Sequence, residues 1–154
     1  MDNSPKGFLF LQFMFTHETK IRVRYGETDQ MGYLYYGYYA LYYEQGRGDA
    51  MRSLGFTYKE LEEQGTIMPV VSMQSEYLRP AYYDDLITVK TILKELPDSY
   101  FVTFHSELYN EAGKLINKGA VTLAFFDPVT RKKTKLPEVL RERLAAFYQT
   151  GDQA

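Results

Sequence analysis

Residues 36–55 read YGYYALYYEQGRGDAMRSLG, and their spacing decides the fold class. Tyr39, Tyr43, Gly46, Ala50 and Leu54 recur every three or four positions, on one stripe of a helix running from about Tyr36 to Leu54. Gly55 follows as the C-cap. Gly46 and Gly48 each cost a helix about 1 kcal/mol relative to alanine, a cost tolerated where something must approach the backbone closely. Gly46 and Ala50, four apart, leave a smooth groove against which a sheet can press. Upstream, residues 19–26 (TKIRVRYG) alternate, with Ile21, Val23 and Tyr25 on one face, as a half-buried strand does. Downstream, a short helix from Tyr58 to Gln64 stops at Gly65. Past Pro69 the pattern predicts strands at Val70–Tyr77, Leu86–Leu96, Tyr100–Tyr109 and Leu115–Phe126, punctuated by Asp84-Asp85, Pro97-Asp98 and Asn110–Gly113. Pro137 opens a closing helix, Glu138–Tyr148. This order predicts an α+β domain whose five-stranded antiparallel sheet wraps the long central helix. One helix cannot cover both faces of such a sheet, so its edges and outer face are left for a second copy of the chain.

Composition narrows the chemistry. Among 154 residues, 18 Lys and Arg stand against 20 Asp and Glu, a net charge of −2 that argues against a general nucleic-acid binder, which would want a basic face. The absence of Cys excludes disulfides, thiolate metal sites and a Cys nucleophile, and two His (His17, His105) argue against a His-rich metal centre. Fifteen Tyr and no Trp suit half-wet pockets and subunit contacts. The apolar run at residues 8–15 (FLFLQFMF) is far shorter than the roughly 20 residues a bilayer requires, and no small-x-small cleavage site follows it. The expected organisation is an N-terminal extension at residues 1–18, of which 1–13 lie upstream if Met14 is the start, one domain at 19–148 and a tail at 149–154. The expected location is cytoplasmic.

No G-x-S-x-G elbow, phosphate loop or dinucleotide fingerprint occurs. His105 sits mid-strand in FTFHSEL, and His17 falls in a loose segment ahead of the first strand. What remains is residues 26–39, GETDQMGYLYYGYY, which join the first strand to the long helix. A carboxylate at Asp29 near a helix N-terminus faces free backbone N–H groups that can hold an oxyanion, and it can attack a carbonyl or activate a water. The residues alone leave a second reading open, in which Glu27, Thr28 and Asp29 are loop and cap residues.

At these positions the chain resembles the hotdog-fold acyl-CoA thioesterases of the 4-hydroxybenzoyl-CoA thioesterase family, and within it the branch associated with the Tol-Pal envelope genes. The motif runs from Tyr25 through Glu27-Thr28-Asp29, Gly32 and Tyr36 to Tyr39, with Glu44 and Arg47 on the helix. A second match covers Ser75–Leu86. The resemblance implies hydrolysis of an acyl-CoA to free acid and CoA. Asp29 would be nucleophile or general base, the helix N-terminus near Tyr36 would polarise the thioester carbonyl, and Tyr25 would support Asp29. Gly32, Tyr33, Tyr35 and Gly37 then fall among the substrate-binding residues. The chain departs from that branch in carrying Tyr36 where His is common and Tyr38 where Asn is frequent. With Tyr33, Tyr35 and Tyr36, the change at Tyr38 points to a short-chain or aromatic acyl group. The alternative is a non-catalytic acyl-CoA or acyl-carrier-binding hotdog module. No metal or redox cofactor is expected, coenzyme A being part of substrate and product. Lys90, Lys118 and Arg131-Lys132-Lys133 are the candidate phosphate contacts. The expected assembly is a homodimer or homotetramer. A hotdog dehydratase or hydratase, which relies on a catalytic His usually near the central helix, is disfavoured because neither His17 nor His105 fits that place.

Overall fold

The helix meets the sheet at Gly46. A Cβ at this position would lie 2.6 Å from Thr91 Oγ1 and 2.8 Å from Val89 Cγ1, so the approach demands a residue without a side chain. Gly48 has no such reason: a Cβ there would meet only Arg52 Nη1, at 3.8 Å. The computed structural model describes residues 14–148, and the expectations for residues 1–13 and 149–154 lie outside them. Helix α1 (Tyr39–Ser53), entered through one 3-10 turn at Tyr36–Tyr38, packs on one face of the sheet. The strands are β1 (Phe15–Arg22), β2 (Val70–Tyr77), β3 (Leu86–Leu93), β4 (Phe101–Tyr109) and β5 (Leu115–Ala124), in the order β1-β3-β4-β5-β2 with every pair antiparallel. Tyr43 and Ala50 from the helix and Ile87, Val89, Leu108 and Val121 from the sheet are buried between the two layers. The α+β class and the sheet-and-helix arrangement expected from the pattern are those observed. Among the described residues no helix is long and apolar enough to cross a membrane.

The first strand is displaced from its expected position. It begins at Phe15, opposite Leu93, and ends at Arg22, so Phe15–Glu18 belong to the sheet rather than to the extension. His17, expected in a loose segment, is paired with Thr91 inside β1. Val23 still bonds the end of β3 through Asp85, after which a 3-10 turn at Tyr25–Glu27 takes Tyr25 out of the strand. Downstream, β3 stops at Leu93, three residues early. The continuation of β5 pairs with Lys132–Lys133 as a separate hairpin, β6 (Phe126–Asp127) with β7 (Lys132–Lys133), which the pattern did not predict. Helix α2 (Tyr58–Glu63) is capped by Thr57, and the closing helix α3 spans Glu138–Ala145.

On the outer face, strand register aligns Glu18, Lys90, Glu107, Lys118 and Glu76 in one row of alternating charge across β1, β3, β4, β5 and β2. Opposite charges directly across a strand pair stabilise it modestly. Lys90 and Lys118 thus each stand between two carboxylates on the face opposite the helix.

Candidate active site

The chain between β1 and α1 is held in shape by one buried acid. Glu27 is 5% exposed, and its Oε1 accepts from the Tyr42 hydroxyl at 2.9 Å and from the Arg24 N–H at 2.9 Å. Tyr42 lies on the first turn of α1, so this carboxylate ties the loop to the helix. A buried carboxylate is tolerable only with such partners. The loop closes on itself through Tyr35 N–H to Glu27 O and Asp29 N–H to Tyr33 O. Gly32, at φ +77°, makes the reversal between them in a backbone region that side chains disfavour.

Asp29 sits at the tip of this turn. Its Oδ1 accepts from the N–H groups of Met31 at 2.9 Å and Tyr33 at 3.2 Å, which fixes the plane of the carboxyl group. Its Oδ2 makes no hydrogen bond among the described residues, leaving one oxygen available. Asp29 lines a cleft of about 280 Å³ with Tyr33, Tyr36, Tyr39, Tyr77, Arg79 and neighbouring apolar residues. Tyr36 begins the turn leading into α1, and its N–H, like that of Gly37, makes no backbone hydrogen bond among the described residues. Free amides at a helix start are what an oxyanion requires. The Tyr39 ring packs edge-on against Tyr77, with centroids 5.1 Å apart. Burial, reinforced by Tyr43 and Tyr77, pushes the Tyr39 phenol up to about 12, so this wall is a neutral phenol rather than an acid or base at ordinary pH.

The structure thus brings Asp29, Tyr33 and Tyr36 together. The remaining expected site residues lie around the cleft rather than in its wall. Tyr25 is 78% exposed, its ring turned edge-on to Tyr83 at 5.6 Å. Tyr25 holds the loop through its carbonyl, which accepts from Thr28 Oγ1 at 2.7 Å, and it makes no hydrogen bond to Asp29. The Tyr35 ring packs against Tyr36 at a tilt of 51°, with centroids 4.6 Å apart. Gly37 makes room for the Tyr35 ring: a Cβ there would stand 3.0 Å from Tyr35 Cε1. None of the lysines proposed for phosphate lines the cleft. Lys90 borders a groove on the outer face with Glu18 and Tyr109, and Lys133 stacks over Phe101 at 4.7 Å. Arg131–Lys133 occupy the hairpin beyond the Leu123 end of β5, whereas the cleft adjoins Tyr77 at the Asn117 end. Among the described residues the cleft's only cation is Arg79, which follows β2 within the second match, Ser75–Leu86. Tyr77, in the same match, also lines the cleft without having been assigned a role from sequence. Their signal was the motif's place at the end of a strand that the topology carries back to the helix start.

The sequence profile of the thioesterase-like superfamily matches residues 23–144, from just past β1 into α3. The chain belongs to the thioesterase-like superfamily. Among curated relatives of this thioesterase-like chain, the putative acyl-CoA thioesterase YneP of Bacillus subtilis is 34% identical over 102 residues, 66% of this chain and 73% of that protein. The acyl-CoA thioester hydrolase YbgC of Escherichia coli O6:H1 is 29% identical over 84% of this chain and 93% of its own length. A DHNA-CoA thioesterase from Staphylococcus aureus superposes with a TM-score of 0.73 at 34% identity, covering 79% of this chain and 80% of the other. The chain is accordingly a hotdog-fold thioester hydrolase of the acyl-CoA thioesterase kind, as the motif at Tyr25–Tyr39 implied.

Proposed function

We propose that this thioesterase hydrolyses a short-chain or aromatic acyl-CoA, with the carbonyl oxygen held by the Tyr36 N–H and Asp29 facing the carbonyl carbon. The observation that carries this reading is the unpartnered Oδ2 of Asp29 in the same cleft as that free amide. The role of Asp29 then has two forms. As nucleophile, Oδ2 adds to the carbonyl, the C–S bond breaks, CoA leaves as thiolate, and water hydrolyses the mixed anhydride to acid and free Asp29. As base, Asp29 takes a proton from water while the hydroxyl adds, and that proton passes to the departing thiolate. Both need only the backbone N–H at position 36, so tyrosine in place of histidine is compatible with turnover. The four tyrosines lining the cleft, Tyr33, Tyr36, Tyr39 and Tyr77, favour a flat or short acyl group. The name of the Staphylococcus aureus relative supports an aromatic one.

The site is proposed to work in a homo-oligomer, at least a dimer. Strand β2 is a sheet edge with one unpaired side, and Val70, Val71, Met73 and Tyr77 along it are about half exposed. A long apolar edge is unfavourable in an isolated protomer. Antiparallel pairing of β2 with the same strand of a second copy would cover it and bring the partner beside Tyr77. A thiol-release assay over short, aromatic and long acyl-CoAs tests the chemistry, with turnover expected on the short or aromatic members. Binding without release of CoA on any member would support the non-catalytic acyl-CoA-binding alternative. Light scattering at micromolar concentration is expected to give at least twice the 18.0 kDa chain mass, and a monomeric mass would sink the assembly.

A further inference from the structure

Among the described residues, only two groups in the wall of the cleft carry a formal charge, Asp29 and Arg79. Asp29 is accounted for by the reaction. Arg79 makes no ion pair, and its guanidinium no hydrogen bond, among the described residues, although the backbone that carries it is held in place. The N–H groups of Leu78 and Arg79 both donate to Ile116 O, at 2.9 and 3.0 Å. Pro80 follows, and Ala81 O accepts from Leu34 N–H at 2.7 Å, within the Asp29 loop. The backbone carrying Arg79 is therefore fixed to β5 on one side and to the catalytic loop on the other. Arg79 is exposed at the rim of the cleft, beside Tyr77 and Leu78, so its guanidinium is open to an incoming ligand.

We propose that Arg79 is a specificity residue that receives a carboxylate at the end of the acyl group remote from the thioester. The proposal rests on the hydrolase reading above and narrows its substrate to half-thioesters of short or aromatic diacids. A guanidinium presents a rigid fork of N–H donors that matches a carboxylate in two parallel bonds. Asp29 enforces the orientation, because a second negative charge is repelled from its end of the cleft and drawn to the Arg79 end. The phosphates of coenzyme A are an unsuitable counterpart. A cleft of about 280 Å³ holds the acyl group and the start of the pantetheine arm, and the phosphates lie at the other end of that arm.

The test compares succinyl-CoA with butyryl-CoA, equal in chain length and differing in the terminal carboxylate, in the wild type, Arg79→Met and Arg79→Lys. Wild type is expected to prefer succinyl-CoA in kcat/KM. Arg79→Met should lower succinyl-CoA turnover by about 100-fold and butyryl-CoA turnover by about threefold, and Arg79→Lys, keeping the charge without the fork, should fall between. The same preference should persist with the N-acetylcysteamine thioesters of the two acids, which lack phosphates. A wild type indifferent to the carboxylate, equal losses on both esters, or a loss confined to the CoA esters would each overturn the proposal, the last assigning Arg79 to phosphate. Should no member of the wider panel of short, aromatic and long acyl-CoAs be hydrolysed either, the hydrolase reading fails on its own. Calorimetric binding of succinyl-CoA against butyryl-CoA then still decides Arg79, with a tighter succinyl complex lost in Arg79→Met supporting it and equal affinities refuting it.

Discussion

Asp29→Asn is expected to reduce kcat by at least about 100-fold on any acyl-CoA the wild type turns over, with the melting temperature nearly unchanged. The two halves of this expectation have separate physical origins. The side-chain carbonyl of asparagine can still accept from the N–H groups of Met31 and Tyr33, the two bonds that orient the native carboxyl through Oδ1. The loop from Glu27 to Tyr35 therefore keeps its closure, and the Glu27–Tyr42 bond that fastens it to α1 is untouched. What changes is the other end of the group, where an amide nitrogen replaces the unpartnered oxygen. An amide neither adds to a carbonyl nor takes a proton from water at neutral pH, so both forms of the mechanism stop. Removal of a single oxyanion donor typically costs about 10²–10³ in rate, and the reacting group should cost no less. Measured together, thiol release and thermal melting separate catalysis from folding. Equal kcat in Asp29→Asn and wild type would remove Asp29 from the reaction, and a melting point lowered by many degrees would mean that the loop depends on charge rather than on hydrogen-bond geometry.

The loop from Glu27 to Tyr35 was legible because its information is local. Glu27-Thr28-Asp29 and Gly32 lie within one turn of chain, and the glycine at φ +77° is a constraint that a single residue type announces. Strand β2 was placed without error at Val70–Tyr77 because Pro69 and Arg79-Pro80 bound it on both sides. Strand β1 was not, since residues 8–15 form an apolar run without alternation. Where a strand begins in such a run depends on its partner, here Leu93 opposite Phe15, which lies almost 80 residues away. Glu27–Tyr42 and Arg79 were hidden for the same reason. Both draw their meaning from neighbours supplied by other elements, and spacing along the chain carries no trace of them. Gly46 was read correctly from its helix because a glycine in a buried stripe has few other uses, whereas Gly48, outside the stripe, has no packing role to find.

Gly119→Ala is expected to be the most destabilising single methyl that can be added among the described glycines. Gly119 lies in β5 on the helix side of the sheet, and a Cβ there would overlap Tyr43 at Cζ and Cε2 and come within 2.6 Å of its hydroxyl. Tyr43 has no freedom to withdraw. It is fully buried, and its hydroxyl is held by Ser75 Oγ at 2.7 Å and by the Asn117 side-chain carbonyl, while Asn117 Nδ2 donates to Ser75 Oγ at 3.1 Å. This closed ring of three polar side chains joins α1, β2 and β5, and Asn117 is fully buried within it. Moving the phenol to admit a methyl would leave buried donors and acceptors unpaired, at about 1–3 kcal/mol for each group. Overpacking alone costs about 1–3 kcal/mol. A loss of about 3 kcal/mol corresponds to a fall of about 6–12 °C in Tm for a domain of this size. Tyr43→Ala should cost less in the Gly119→Ala background than in the wild type, because the first change has already broken the contact that the second removes. A Gly119→Ala protein melting within 2 °C of wild type, or strict additivity in that cycle, would show that the helix is not seated on β5 through this glycine.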